Sequence, residues 1–122
     1  MINLKTTTME KIINEVKVPI NPRVLEELRN KKYTFIADAG HGWLKVHVND
    51  IAQLRLDEEI SGYSYKSWEW VYLEEDRDLT IFLVALFPEG FKSEAFKKFR
   101  DNNITDRLDG DYSHVRAFNH YK

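Results

Sequence analysis

Cysteine is absent from this chain of 122 residues. That absence excludes disulfide bonds, thiolate zinc sites and cysteine nucleophiles together, and a small domain without disulfide staples suits a reducing compartment. Glycine and proline are scarce, at five and three residues, and no glycine-rich phosphate loop is present. No stretch approaches the roughly 18 uninterrupted apolar residues of a membrane span, and Met1 to Lys17 lacks the apolar core of a signal peptide. A cytoplasmic protein is expected. Ser61, Ser64, Ser67, Ser93 and Ser113 have no nucleophile-elbow context, and the adjacent Glu74 and Glu75 would face opposite sides of a strand rather than form an acid–base pair. The chain therefore reads as non-enzymatic, with no catalytic residues, no metal and no cofactor expected.

What is present is material for one core. Apolar residues make up 43% of the chain and aromatics 13%, enough for a single compact domain of this length. The net charge of −2 conceals an uneven distribution. Residues 33–80 hold 10 Asp/Glu against 4 Lys/Arg, whereas residues 1–32 hold 4 against 7. An acidic centre argues against a phosphate-binding surface there and favours a basic partner or plain solvation.

Residues 1–32 read as a helical extension and residues 33–122 as the body of the domain. Thr7 and Glu10 have capping-box spacing ahead of Ile12, Ile13 and Val16, and Pro19 ends that helix. Asn21-Pro22 is a cap and first-turn pair opening a second helix to about Asn30. From Tyr33 the period changes to two. Tyr33–Asp38 and Trp43–Val48 form an expected hairpin, with Gly40 and Gly42 supplying positive φ to the connection. Asn49 caps a short helix through Leu54. Tyr63–Tyr65 and Trp68–Leu73 follow as strands, the latter alternating Trp68, Trp70 and Tyr72 against Glu69, Val71 and Leu73. Helices are expected from Asp76 or Asp78 to Leu86 and from about Phe91 to Arg100, and Tyr112–Asn119 as a closing strand after an Asp109-Gly110 turn. The sum is an α+β fold, a small antiparallel sheet of four or five strands with helices packed on one side and two added N-terminal helices.

Three constellations could carry function. Asp38, His41 and Trp43 flank a glycine turn where a carboxylate and an imidazole could hold a small ligand or, with a third group from Glu74 to Asp76, His114 or His120, a metal. The simpler account is that Asp38 and His41 hydrogen-bond the turn backbone. A sheet face carrying Trp43, Lys45, His47, Trp70, Tyr72, His114 and Arg116 could offer rings and cations to single-stranded nucleic acid, if no helix covers it. Acidic loops at Asp57, Glu58 and Glu59 and at Glu74, Glu75 and Asp76, with Trp70 as an aromatic anchor, could imitate phosphates and occupy a basic groove.

The runs Asp38-Ala-Gly-His-Gly-Trp-Leu44, Ile60-Ser-Gly-Tyr-Ser-Tyr65 and Val71-Tyr-Leu-Glu-Glu-Asp76, closing with Arg116-Ala-Phe118, resemble a family of small proteins encoded by phages, plasmids and other mobile elements. The resemblance covers roughly residues 33–87 and the final strand, and residues 1–32 depart from it. It implies a context rather than a chemistry. Such proteins often act by binding and blocking a host protein, so the resemblance implies an anti-CRISPR or other anti-defence protein whose partner is a CRISPR effector or restriction nuclease in the bacterial cytoplasm.

Overall fold

The computed structural model describes residues 20–122. The expected first helix, Thr7 to Pro19, lies outside the described residues. Helix α1 is Pro22–Asn30, with the Asn21 side chain accepting from the Arg23 N–H at 2.9 Å as the Asn-Pro pair predicts. Strands β1 (Tyr33–Ala37) and β2 (Gly42–His47) form the expected hairpin. Helix α2 is Val48–Gln53, β3 is Tyr65–Ser67, β4 is Trp70–Glu74, α3 is Asp78–Leu86, α4 is Glu94–Asn103 and β5 is Ile104–Leu108. A short 3-10 turn at His114–Ala117 and the two-residue β6 (Asn119–His120) complete the order.

The fold is α+β, but the sheet has six strands rather than four or five, in the order β5-β1-β2-β4-β3-β6. It is mixed rather than antiparallel, because β5 runs parallel to β1. The extra strand, Ile-Thr-Asp-Arg-Leu, sits at the edge with four of its five residues exposed, so it carries no alternating apolar pattern to read. The expected closing strand over Tyr112–Asn119 is mostly not a strand. Ser113 accepts from the Val115 N–H and winds the segment into the 3-10 turn, leaving only Asn119 and His120 to pair with β3. Two helix starts also move by local capping. His47 Nδ1 accepts from the Asn49 N–H, so α2 begins at Val48 rather than after an Asn49 cap. Ser93 Oγ accepts from the Phe96 N–H and starts α4 at Glu94, three residues later than expected.

One face of the sheet packs against all four α-helices of the described residues. Phe35, Leu44, Val46, Val71 and Leu73 meet Leu28 of α1, Ile51 of α2, the wholly buried α3, and Phe96 and Phe99 of α4. The opposite face carries a smaller cluster, Ile36, Trp43 and Tyr72, roofed by Val115 of the 3-10 turn. The strand alternation in β2 is as expected, Leu44 and Val46 on the helix face and Trp43 on the other.

The β1–β2 turn corrects one expectation in detail. Neither Gly40 nor Gly42 has positive φ. A Cβ on Gly42 would instead lie 2.3 Å from Cζ of the buried Phe35 ring, so glycine is there to admit that ring. Gly42→Ala is therefore expected to cost about 1–3 kcal/mol by overpacking, read from urea denaturation midpoints. A variant as stable as the parent would show that Phe35 has room to move.

Candidate functional site

The Asp38 turn is a clasp. Asp38 Oδ1 accepts from the Gly40 and His41 N–H groups at 3.0 and 2.9 Å and from Arg116 Nη2 at 2.9 Å. Oδ2 accepts from the Ser113 N–H at 2.9 Å and from Arg116 Nε at 2.6 Å. The carboxylate has no exposed surface, and its hydrogen bonds from Arg116, with those from Ser113, His41 and Gly40, hold its pKa far below the usual carboxylate range. Five donors fill its acceptor sites, so nothing is left to offer a ligand. Arg116 in turn lies over the rings of Trp43 at 5.5 Å and Tyr112 at 4.9 Å. Trp43 is buried, and His41 is exposed beside it with ring centroids 6.2 Å apart. Asp38, His41 and Trp43 are thus brought together, with Asp38 and Trp43 committed to fastening the C-terminal segment across the face opposite α1–α4. Among the described residues no three His, Asp or Glu groups are placed to hold a metal.

Next to this clasp, Ser113, His114 and Asp109 assemble the residue types of a hydrolase triad in the wrong wiring. Ser113 Oγ donates to Asp109 at 2.7 Å and His114 Nδ1 meets the same carboxylate at 3.0 Å, so the imidazole does not stand between the hydroxyl and the acid. A serine bonded to the carboxylate instead of the base is not activated.

The face opposite α1–α4 engages its own rings. Tyr72 packs on Phe118 at 5.0 Å, Tyr65 stacks on His120 at 4.8 Å, and the Lys45 ammonium lies 4.4 Å over Trp70, which His47 meets edge-on at 5.2 Å. With Trp43 and Tyr72 buried, the flat platform expected for stacking bases is largely roofed.

The acidic residues separate into two groups. Glu74, Glu75 and Asp76 lie at the end of β4, where Glu74 accepts from the Asp76 and Arg77 N–H groups to shape the turn into α3. Burial raises the pKa of both Glu74 and Glu75, and the neighbouring Asp76 charge adds to it. Asp57, Glu58 and Glu59 lie on the exposed loop between α2 and β3. Their carbonyls are all tied down: Asp57 O accepts from Tyr121 Oη at 2.7 Å, Glu58 O from Lys122 Nζ at 2.6 Å and Glu59 O from Arg77 Nη1 at 2.9 Å. The buried Asp78 fixes the following residues, accepting from the Ser61 N–H and from the hydroxyls of Ser61 and Ser64. The loop backbone is held while the three carboxylates make no hydrogen bond or ion pair among the described residues.

Trp68 is the residue that sequence reading misplaced. It was expected to alternate with Trp70 inside a strand, but Ser67 and Trp70 pair directly and leave Trp68-Glu69 as a two-residue hairpin turn. Trp68 has φ +58° and Glu69 does not have positive φ, the pattern of a type II′ turn, whose first central position favours glycine. The indole is 97% exposed. Spacing concealed it, because Trp-Glu-Trp continues the alternation and the turn contains none of the usual turn residues. Trp70 lies on the face opposite α1–α4, packed against the Ile36, Trp43 and Tyr72 cluster, and does not line the cavity beside the Asp57–Glu59 loop.

Beside Trp68 is a cavity of about 580 Å³, within the range of binding pockets. Val48 and Val71 give it apolar lining, Trp68 and Tyr121 aromatic lining, and Asp57, Glu58, Lys66 and Lys122 the charge. Asp57 and Glu58 thus line the same cavity as an exposed aromatic, though Trp68 rather than Trp70. Glu74 to Asp76 lie at the other end of β4, a strand about 17 Å long at ~3.4 Å per residue.

Fold and site together define a single-sheet α+β protein whose most accessible feature is a tryptophan-tipped hairpin beside a fixed acidic loop. No protein-family model, no curated protein and no solved structure matches this chain. Among the described residues no helix is long and apolar enough to cross a membrane.

Proposed function

We propose that this protein is a non-enzymatic binding protein that occupies a basic surface of a host defence nuclease, such as a CRISPR effector or restriction enzyme, in the bacterial cytoplasm. The observation that carries the reading is Trp68. A bulky residue where the backbone favours glycine costs about 1 kcal/mol or more, and this one regains little by burial, because its ring is exposed and makes no ring contact among the described residues. Conformational strain retained at an exposed aromatic fits a contact made with another molecule. The neighbouring loop supports the same reading, since a fixed backbone presenting unpaired carboxylates loses little entropy when a cationic partner docks. The resemblance of the central motifs to mobile-element proteins supports the choice of a defence nuclease.

The test is affinity capture of the tagged protein from lysates of bacteria carrying CRISPR and restriction systems, read by mass spectrometry, beside a triple variant with Asp57, Glu58 and Glu59 changed to lysine. Their carboxylates bond nothing within the described residues, so the variant is expected to fold normally. One defence nuclease enriched by the parent and lost by the variant is the expected result. Enrichment unchanged by the charge reversal would remove the acidic loop from the contact, and absence of any nuclease would remove the function.

A further inference from the structure

We propose that the open edge of β5 receives an extended segment of another protein as an added antiparallel strand, with a lysine or arginine of that segment facing Asp106. β5 is the outermost strand of the sheet, and β1 and β2 separate it from the Trp68 hairpin, so the inference does not rest on the preceding reading. The Asp109 N–H fixes the phase of the edge by donating to the Ala37 carbonyl of β1 at 2.8 Å. Backbone groups alternate sides along a strand, so those of Thr105 and Arg107 also point to β1, and the N–H and C=O groups of Asp106 and Leu108 point outward. None of these four groups has a partner among the described residues.

The side chains decide the occupant. Asp106 and Leu108 stand on the same face of β5, Asp106 exposed without a hydrogen-bond or ion-pair partner among the described residues and Leu108 82% exposed. A second copy of this chain fits poorly. The two-fold antiparallel register that overlaps all of β5 sets Asp106 directly opposite itself, and like charges so placed are destabilising. Sliding by two residues shortens the overlap and sets either Arg107 against Arg107 or Ile104 against Asp106. A cation opposite Asp106 makes the same contact favourable. Antiparallel pairing then brings the residue two positions before that cation against Leu108, where an apolar side chain covers it. Arg107 does not interfere, since it stands on the other face with its guanidinium bonded to Asp109 at 3.0 Å. The segment is thus held by main-chain bonds and selected by its alternate side chains, apolar then basic.

The experiment titrates the intact, isotope-labelled protein with acetyl-Thr-Val-Thr-Lys-Thr-Val-Thr-amide and follows the backbone amide resonances. The peptide is expected to shift the Asp106 and Leu108 amides, to slow their exchange with solvent, and to bind at least about fivefold more tightly than the same peptide with glutamate in place of lysine. Methylation of the lysine backbone nitrogen removes a main-chain donor and is expected to abolish binding. Asp106 bonds nothing among the described residues, so Asp106→Lys is expected to fold normally and to reverse the preference, taking the glutamate peptide more tightly. Equal binding of the two peptides, shifts confined to Trp68, or no shift at Asp106 and Leu108 overturns the proposal. So does a parent protein that sediments as a dimer with those amides protected in the absence of peptide, because the edge would then belong to a second copy.

Discussion

Replacing Asp38 by alanine is expected to cost about 3 kcal/mol of folding stability, one of the largest losses available to a single substitution in this protein. The carboxylate is fully enclosed and serves five donors, two of them from Arg116 and one from Ser113. Its removal leaves a part-buried guanidinium without its anion and takes the fastening from the segment that roofs Trp43. Urea denaturation followed through tryptophan fluorescence measures both consequences. A loss under about 1 kcal/mol would mean that Val115 alone holds the roof.

The same contact sets an acid dependence. Because the folded-state pKa of Asp38 is depressed below its ordinary 3.8, its stabilisation is fully present above that value and is lost as pH falls through the acid range. Asp109, also depressed, chiefly by its hydrogen bond from Ser113, acts in the same direction. Glu74 and Glu75 act oppositely: their raised values favour the folded state below the ordinary 4.5, and that contribution fades as pH rises past it. The gap between the parent and Asp38→Ala is therefore expected to be widest near neutrality and to narrow as the pH is lowered from about 4.

Trp68→Gly is expected to move stability and binding in opposite directions. Relief of the positive φ should raise folding stability by about 1 kcal/mol, while loss of the indole should weaken partner capture at least tenfold. Arg55→Gly is the control. Arg55 also has positive φ, at the end of α2, where the Leu56 N–H reaches the Ile51 carbonyl and the Arg55 N–H the Ala52 carbonyl, each at 3.0 Å. That bonding closes a helix in the manner usually given to glycine. Arg55→Gly should gain similar stability and leave capture unchanged. A destabilised Trp68→Gly would show that the indole packs on the protein, and undiminished capture would place the contact elsewhere.

The contrast between these positions shows what the sequence could disclose. Where an apolar period or a cap is strong, the elements were legible: Asn21-Pro22 marked α1, and the alternation of Leu44 and Val46 against Trp43 assigned both faces of β2. Edge elements were not, because β5 has little to bury and the 3-10 turn depends on Ser113 finding Asp38, 75 residues away. The site was half legible. The carboxylates of Asp57 and Glu58 could be read as an exposed acidic loop, but Trp68 could be placed only by knowing that Ser67 pairs with Trp70. Such backbone geometry leaves no mark when the residue adopting it is one the turn does not favour.

The parallel pairing of β1 with β5 bears on how the chain reaches this structure. Tyr33 lies beside Ile104, and Asp38 is clasped by Arg116 from 78 residues further along. During synthesis, the β1–β2 hairpin can form soon after it emerges, but one flank of β1 stays unpaired until most of the remaining chain has been made. Such distant partners make closure of the sheet a late and slow event. For that interval the nascent protein exposes an open strand edge, a natural point of engagement for a chaperone.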